Sequence, residues 1–206
     1  LSKPVTYLVV FASLYRVLIS LVVGILVGLV VGIAAGVSPI VEKVFRPLVM
    51  LAKSTPVVCV IIILWLYVDK SMVPSICGVL LCFPVIYTNV IQGYRRVDQE
   101  LINMSKVYKV PLRRRLFRLY LPSVLPYLFA GILTSIGICW KATIAAEVIS
   151  ILDGSIGMYI YNGKVLLEFD HVFAWTIIIV FCSVLIEYFT KYLITKVKFY
   201  KRFEVI

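Results

Sequence analysis

Hydrophobic residues in this chain come in long unbroken runs and do not alternate with polar residues. At 1.5 Å per helical residue, a run of about 20 residues crosses a hydrocarbon layer of about 30 Å. Three such runs contain no Asp, Glu, Lys or Arg, and they cover residues 17–41, 71–94 and 119–140. Two weaker runs, 47–68 and 172–190, each contain one charged residue. The pattern predicts an all-α polytopic membrane protein with about five spans, and the missing alternation argues against a β-barrel.

The segments around these runs give further local expectations. Residues 1–16, bracketed by basic residues and a proline, are predicted to form an interfacial helix before the first span. Residues 38–47 are predicted to be a short loop. The Ser-Thr-Pro sequence at 54–56 predicts a kink that faces protein or a cavity, because a proline frees a backbone carbonyl. Residues 119–152 are too long for one straight span, which predicts that this helix breaks or projects outward.

Four glycines in the first run recur at intervals of four residues, at positions Gly24, Gly28, Gly32 and Gly36. This spacing places them along one face of a helix. In lipid, helices associate through close backbone approach at small residues, since no hydrophobic force drives them together. The stripe predicts helix packing within the chain, in preference to a seam between two copies.

One long polar segment, residues 94–126, interrupts the apolar sequence and holds 8 of the 21 Lys and Arg residues. Apolar residues still recur in it at steps of three and four, at Val97, Leu101, Met104, Tyr108 and Leu112. Such spacing is typical of amphipathic helices. Two interpretations follow. Either the segment is a basic loop held at the membrane surface by anionic lipid headgroups, or its apolar stripe is a docking surface for a cytoplasmic partner, which is the interpretation we favour.

The net charge of +11 is distributed in the way that orients membrane proteins. If residues 94–126 lie inside, alternation of the spans places 16 basic residues on the inner side and four on the outer side. The predicted topology therefore has Leu1 outside and Ile206 inside. The charge reflects orientation, and no nucleic acid partner is expected.

Composition excludes several other functions. With 62% hydrophobic and 15% charged residues, the chain does not resemble a soluble domain. Its five cysteines all fall in apolar runs without a CxxC pair, so neither disulfides nor a metal site are expected. One histidine cannot build a zinc site. No GxxxxGK[ST] loop occurs, so no enzymatic nucleotide hydrolysis is expected of this chain.

The end of the basic segment, Leu121-Pro122 with Pro126 four residues later, resembles the end of the "EAA" loop of ABC importer permeases. The positions that carry Glu-Ala-Ala and Gly in that loop hold other residues here, namely Asn103, Met104, Ser105 and Lys109. Residues 54–68, 83–101 and 140–150 resemble the nitrate/sulfonate/taurine type of these permeases, and residues 13–33 resemble its glycine-rich helix. The resemblance extends over residues 13–195, and the usual first span has no counterpart in this sequence.

The resemblance implies the transmembrane fold of a type I ABC importer, with residues 1–206 as one permease domain in the bacterial cytoplasmic (inner) membrane. Expected partners are a second copy of the chain, two cytoplasmic ATPase subunits that bind ATP and Mg, an extracytoplasmic substrate-binding protein and membrane lipid. The chain itself would hold no cofactor. Residues 95–118 would form the coupling loop, with contacts to the ATPase from Asn103, Met104, Ser105, Tyr108, Lys109, Arg113, Arg114 and Arg115. Members of the family carry small anions or vitamin-like heterocycles, so the substrate stays open.

Lys141 and Glu147 interrupt the apolar part of residues 119–152, where a charge is costly. Six residues apart, they lie about 120° from each other around a straight helix, so each needs its own partner or a break between them. One interpretation is that Glu147 lies at the interface and Lys141 snorkels outward. The other is that Lys141 lines a translocation path beside Trp140, with Glu147 at the outer gate.

Two other classes remain as alternatives to the importer. A secondary transporter would carry its own coupling-ion site, and such folds contain paired repeats with broken helices, which the sequence does not display. A non-transporting membrane assembly subunit would have no need for intramembrane charges or proline-interrupted helices. A neighbouring gene that encodes an ATPase, together with one for a secreted binding protein, would favour the importer over both alternatives.

Overall fold

The computed structural model describes residues 4–196, in which every regular element is helical. The elements are α1 Pro4–Val37, α2 Pro39–Ser54, α3 Val57–Tyr67, α4 Val73–Arg95, α5 Gln99–Val107, α6 Leu112–Arg115, a π-helical turn Leu116–Tyr120, α7 Leu121–Ser150, α8 Ile156–Val165 and α9 Phe169–Lys196. Four helical spans within this range are long and apolar enough to cross a membrane, and the bent pair α2–α3 makes a fifth. The predicted all-α class and the number of about five spans are confirmed.

Helices α1 and α4 run parallel, in contact along the glycine stripe. A Cβ atom added to Gly24 would lie 2.7 Å from the Cβ atom of Cys82, and one added to Gly28 would lie 2.7 Å from that of Ile86. The same offset of 58 residues continues through the remaining contacts, which pair Gly32 with Val90 and Gly36 with Tyr94. The stripe thus packs against α4 within the chain, where only glycine lets the two backbones approach this closely.

Helix α7 runs antiparallel to α4 and completes the core. Gly78 on α4 faces Thr143 near one end, and Gly93 faces Val124 near the other. Trp140 is 1% exposed between these helices and α1. One end of the bundle carries the loop between α4 and α6, and we call it the basic end. The other end carries the turn between α3 and α4, and we call it the opposite end.

The first span begins earlier than the sequence suggested. The prediction of a separate interfacial helix ending at residue 16 is wrong for the described part of that segment, because α1 continues unbroken through Arg16. Residues 1–3 lie outside the described range. The helix keeps a charge in its middle because the Arg16 guanidinium forms an ion pair with Glu147 of α7.

The predicted loop over residues 38–47 is also wrong, since α2 begins at Pro39. Proline at the first position of a helix costs no hydrogen bond, so Pro39 starts this helix. The predicted kink at residues 54–56 is confirmed, because α2 and α3 meet at an angle of 103°. Two contacts hold α2 along α4, an ion pair between Glu42 and Arg95 and a hydrogen bond at Lys53.

The second half of the chain begins with one long helix. Of the two outcomes predicted for the long helix, the break is wrong, because helix is continuous from Leu112 to Ser150 and absorbs the π-helical turn. At about 58 Å, this helix is longer than a hydrocarbon layer of about 30 Å, which agrees with the predicted projection. Beyond it, α8 and α9 pack on each other and on α7. In the turn between α3 and α4, at the opposite end of the bundle, the Ser71 N–H and hydroxyl both donate to the Asp69 carboxylate, at 2.9 and 3.0 Å. These two hydrogen bonds lower the pKa of Asp69.

Candidate functional site

The loop at the basic end folds as a helical hairpin outside the bundle. Its first helix, α5, is capped by Asp98, whose side chain accepts a hydrogen bond from the Glu100 N–H at 2.8 Å. One face of α5 is buried through Ile102 and Ser105. The other face exposes apolar side chains, and together with two exposed apolar residues that follow α5 they form what we call the docking patch: Leu101, Met104, Val107, Tyr108 and Leu112.

The docking patch has no partner within the described chain. Met104 is 54% exposed and Tyr108 is 75% exposed, although both side chains are largely apolar. These two residues follow each other at i and i+4 and therefore share one face of the helix. An exposed apolar surface rimmed by charge, outside the hydrocarbon, is typical of a protein interface.

Lys109 ends α5 in a left-handed conformation, with a φ of 49°. The Lys109 N–H donates to the Lys106 carbonyl at 3.0 Å, and the Val110 N–H donates to the Ser105 carbonyl at 2.9 Å. This pair of bonds is the Schellman arrangement, in which the left-handed position is usually glycine. Lys109 stands where the EAA loop has its glycine, so the turn forms here in spite of the substitution.

The cationic residues predicted to adjoin the coupling surface are divided between solvent and the hairpin interior. Arg113 and Arg114 are exposed on α6. Arg115 is partly buried, and its Nη2 atom donates to the Val110 carbonyl at 3.4 Å, in the turn between α5 and α6. Of the other predicted coupling residues, Asn103 and Lys109 are exposed and Ser105 is buried. The structure thus brings this predicted set together in one hairpin.

The predicted path residues on α7, in contrast, do not form one cluster. Trp140 and Glu147 are buried inside the chain, at 1% and 0% exposure. Lys141 is exposed, and α7 has no break between Lys141 and Glu147. Of the three, only Lys141 lies on the surface of the chain.

Glu147 has partners of its own near the opposite end. Its Oε1 atom lies 3.1 Å from Arg16 Nη1, and its Oε2 atom accepts from the Ser13 hydroxyl at 2.8 Å. The Gly157 N–H points at the same oxygen from 3.4 Å, and the Ile156 N–H donates to the Ser13 hydroxyl. The cluster joins α1, α7 and the start of α8. Sequence reasoning missed Arg16 and Ser13, although an arginine inside an apolar helix signals a buried partner.

Lys53 interrupts the weak run 47–68, and sequence reasoning counted it among the 16 basic residues of the inner side. Its Nζ atom donates to the Thr88 hydroxyl at 3.0 Å. Thr88 is seven residues before Arg95, the last residue of α4, so it lies about 10 Å from the basic end. The Lys53 ammonium therefore sits within the depth of the spans.

No group of three or more His, Cys, Asp or Glu side chains in residues 4–196 is arranged to hold a metal ion.

A sequence model of the family described as "Binding-protein-dependent transport system inner membrane component" matches residues 24–199. The chain belongs to this family. Curated relatives include the bicarbonate transport permease CmpB of Synechocystis, 35% identical over 37% of this chain and 28% of the relative. The putative aliphatic sulfonates transport permease SsuC of Bacillus subtilis is 29% identical over 74% of this chain and 55% of the relative. Nitrate import permease NrtB of Synechococcus elongatus is 30% identical over 39% of this chain and 28% of the relative.

The match to these family members spans between about a quarter and about half of their own length. Among solved structures, the family fold is found in a chain of the MetNI methionine ABC transporter in an inward-facing conformation. That chain superposes with a TM-score of 0.77 at 15% identity, over 95% of the present chain and 98% of its own length. A second crystal form gives a TM-score of 0.72. The architecture described above is thus the transmembrane fold of a type I ABC importer.

Proposed function

We propose that this chain is the permease subunit of an ATP-driven importer in the bacterial cytoplasmic membrane. It forms the substrate path and transmits ATP-driven movement to that path, while a partner ATPase binds ATP and Mg and carries out the hydrolysis. The observation that carries the proposal is the docking patch. A hydrophobic surface on a hairpin that protrudes from a membrane bundle favours a partner protein outside the membrane.

The geometry of the hairpin suits the transmission of force. Its second helix leads through the π-helical turn into α7 without a break, so a push on the hairpin acts directly on a core helix. The Arg115 guanidinium donates to the Val110 carbonyl in the turn between the two helices of the hairpin. The exposed Arg113 and Arg114 beside the patch favour a partner surface with an acidic rim.

The complete assembly would contain two permease chains, two ATPase subunits and an extracytoplasmic binding protein. A second copy of this chain is the expected second permease, since the exposed sides of α2 and α3 offer apolar surface for it, for example at Leu48 and Leu66.

Purification of the tagged chain from native membranes in mild detergent tests the proposal. We expect a cytoplasmic ATPase to copurify in a one-to-one ratio with the chain. Proteoliposomes that contain the complex should then take up substrate only with ATP present, and uptake should persist when ionophores dissipate ion gradients. Uptake that follows an ion gradient without ATP would identify a secondary transporter instead, and a chain that purifies without an ATPase would contradict the proposal.

A further inference from the structure

Glu187 is an acidic residue inside a span that forms no ion pair with any residue in the range 4–196. The other acidic residue deep within a span, Glu147, is paired with Arg16. Charged side chains at membrane depth usually pair with one another or face a cavity. A lysine can reach the membrane surface along its flexible stem, but the short side chain of glutamate cannot. Glu187 therefore needs a partner from outside the described chain.

The depth of Glu187 follows from the course of α9. This helix leaves the opposite end of the bundle beside α8, where the rings of Tyr159 and Trp175 stack with their centroids 5.0 Å apart. Glu187 comes 12 residues after Trp175 and nine residues before Lys196, where the described helix ends. The carboxylate thus lies in the half of α9 toward the basic end.

The surface of α9 next to Glu187 is apolar and uncovered. Val180 and Val184 are exposed, and their spacing to Glu187 places all three on one face of the helix. A shallow hollow of about 360 Å³ on this side is lined by Thr176, Ile177, Val180, Phe181 and Val184. The chain buries only 6% of the most apolar stretch of α9, compared with 22% to 50% in the other three long spans. This face is therefore the largest part of a span left for lipid or for another protein.

A surface of complementary charge lies at the bend between α2 and α3, on the side that the proposed assembly gives to the second copy. The Lys53 ammonium donates one of its three N–H groups to the Thr88 hydroxyl at 3.0 Å, which leaves two donors for another acceptor. Thr88 is about 10 Å from the basic end, so Lys53 and Glu187 lie in the same half of the membrane. Beyond the bend, α3 runs toward the opposite end and exposes Ile63 and Leu66.

Two-fold symmetry favours contact between these two surfaces. An axis along the membrane normal brings together residues of equal depth, and each contact then occurs twice. Lys53 and Glu187 meet this condition. Lys141 does not, because it lies nine residues before the end of α7, in the half toward the opposite end. With the two charges in contact, α3 of one copy runs antiparallel to residues 176–187 of the other, and its apolar side chains face the hollow on α9.

We propose that the Lys53 ammonium of one copy pairs with the Glu187 carboxylate of the other, and that α9 and the α2–α3 bend form the interface between two permease chains. The inference rests on the proposed importer function, which supplies the second copy, and it names the residues through which the copies meet. In lipid no hydrophobic force drives helices together, so a charge pair between apolar surfaces sets their register.

Disulfide cross-linking in membranes that contain the whole complex tests the contact. Cys59→Ala and Cys182→Ala remove the two cysteines that are not buried. Lys53→Cys and Glu187→Cys are then combined in one chain, and the membranes are oxidised with copper phenanthroline. We expect a covalent dimer that dithiothreitol reverses. Each single cysteine variant should remain monomeric, and so should the matched control that combines Lys141→Cys with Glu187→Cys.

Charge reversal tests the pair itself. Lys53→Glu and Glu187→Lys each bring like charges together, so each should weaken association of the two permease chains in detergent at least about tenfold. The double substitution restores opposite charges and should recover the association, which native mass spectrometry measures. Lys191→Gln removes the cation one helical turn from Glu187 and should change nothing, because that lysine forms no ion pair with it.

Two results would overturn this interface while leaving the importer function intact. One is a complex with two permease chains in which Lys53→Cys and Glu187→Cys form no covalent dimer. The other is a double charge reversal that associates no better than the single ones. A complex that contains an ATPase but a single permease chain would overturn the proposed assembly together with the interface, and absence of the ATPase would contradict the importer function itself.

Discussion

The guanidinium of Arg16 and the carboxylate of Glu147 lie 3.1 Å apart, although 131 residues separate them in the sequence. Glu147 is fully buried, while 19% of the Arg16 side chain is exposed. The carboxylate would be costly at this depth without a cation and without the Ser13 hydroxyl. The pair consequently fixes how α1 sits against α7.

Replacement of Arg16 alone should destabilise the protein strongly. Arg16→Met leaves the Glu147 carboxylate buried without a counter-charge, which costs about 3 kcal/mol of unfolding free energy. The double substitution Arg16→Met with Glu147→Leu removes both charges and should recover most of that loss. Denaturant titration in detergent measures all three proteins. Equal stability of the wild type and Arg16→Met would show that the ion pair does not hold the helices together.

Two glycine substitutions should have opposite effects. Gly28→Ala places a Cβ atom 2.7 Å from the Cβ atom of Ile86, so α1 and α4 must separate, at a cost of about 1–3 kcal/mol. Gly137→Ala adds its methyl group to open space and should stabilise α7 by up to about 1 kcal/mol, because alanine favours helix. Thermal unfolding of the purified variants compares them. The prediction fails if both variants melt at the same temperature.

Lys109 adopts a conformation that suits glycine, so substitutions there should rank by backbone freedom. Lysine at a φ of 49° already bears the left-handed cost of about 1–2 kcal/mol, and the β-branched side chain of Lys109→Val should destabilise the hairpin further. Lys109→Gly removes the steric cost and should leave the hairpin at least as stable as the wild type. Hydrogen exchange of the α5 amides reports the difference. Faster exchange in Lys109→Gly than in Lys109→Val would contradict this account.

The docking patch should tolerate apolar changes but not a charge. Met104→Glu would bury an unpaired carboxylate at the interface with the ATPase, so we expect loss of copurification and of transport. Met104 is exposed in the chain itself, and folding and membrane insertion should be unaffected. Met104→Leu is the matched control and should retain at least half of the activity. Full transport by Met104→Glu would remove this hairpin from the coupling role.

Two lysines at opposite ends of the bundle can report the orientation of the chain. With five crossings, Lys109 should face the cytoplasm and Lys164, in α8, should face the other side. A cysteine placed at either position should react with an impermeant maleimide from one side of the membrane only, and the two sides should differ. Reaction of both positions from the same side would contradict the five-span topology.

The sequence was sufficient to predict the structure where a single run of residues determines the local fold. The uncharged run at 71–94 became α4, because a helix of that length and composition has no stable place except across the membrane. The glycine stripe likewise predicted its own packing. In each case the relevant interactions repeat at short intervals along the chain.

The sequence was insufficient to predict the structure where contacts between segments far apart in the chain determine it. Arg16 looked like the end of a surface helix, because its partner lies 131 residues away and no local pattern links the two. The charges of α2 made residues 38–47 resemble a loop. Their helix is held along α4 by Glu42 and Lys53, through contacts with Arg95 and Thr88. A single sequence does not indicate which charges will meet.

The constant offset between α1 and α4 also limits how this protein can change over evolutionary time. Point substitutions that keep a glycine every fourth residue leave the two helices in register. One inserted or deleted residue between Gly24 and Gly36 would rotate everything beyond it by about 100° and place bulky side chains against α4. Relatives should therefore differ freely in the identity of the intervening residues, while the length of this segment stays fixed.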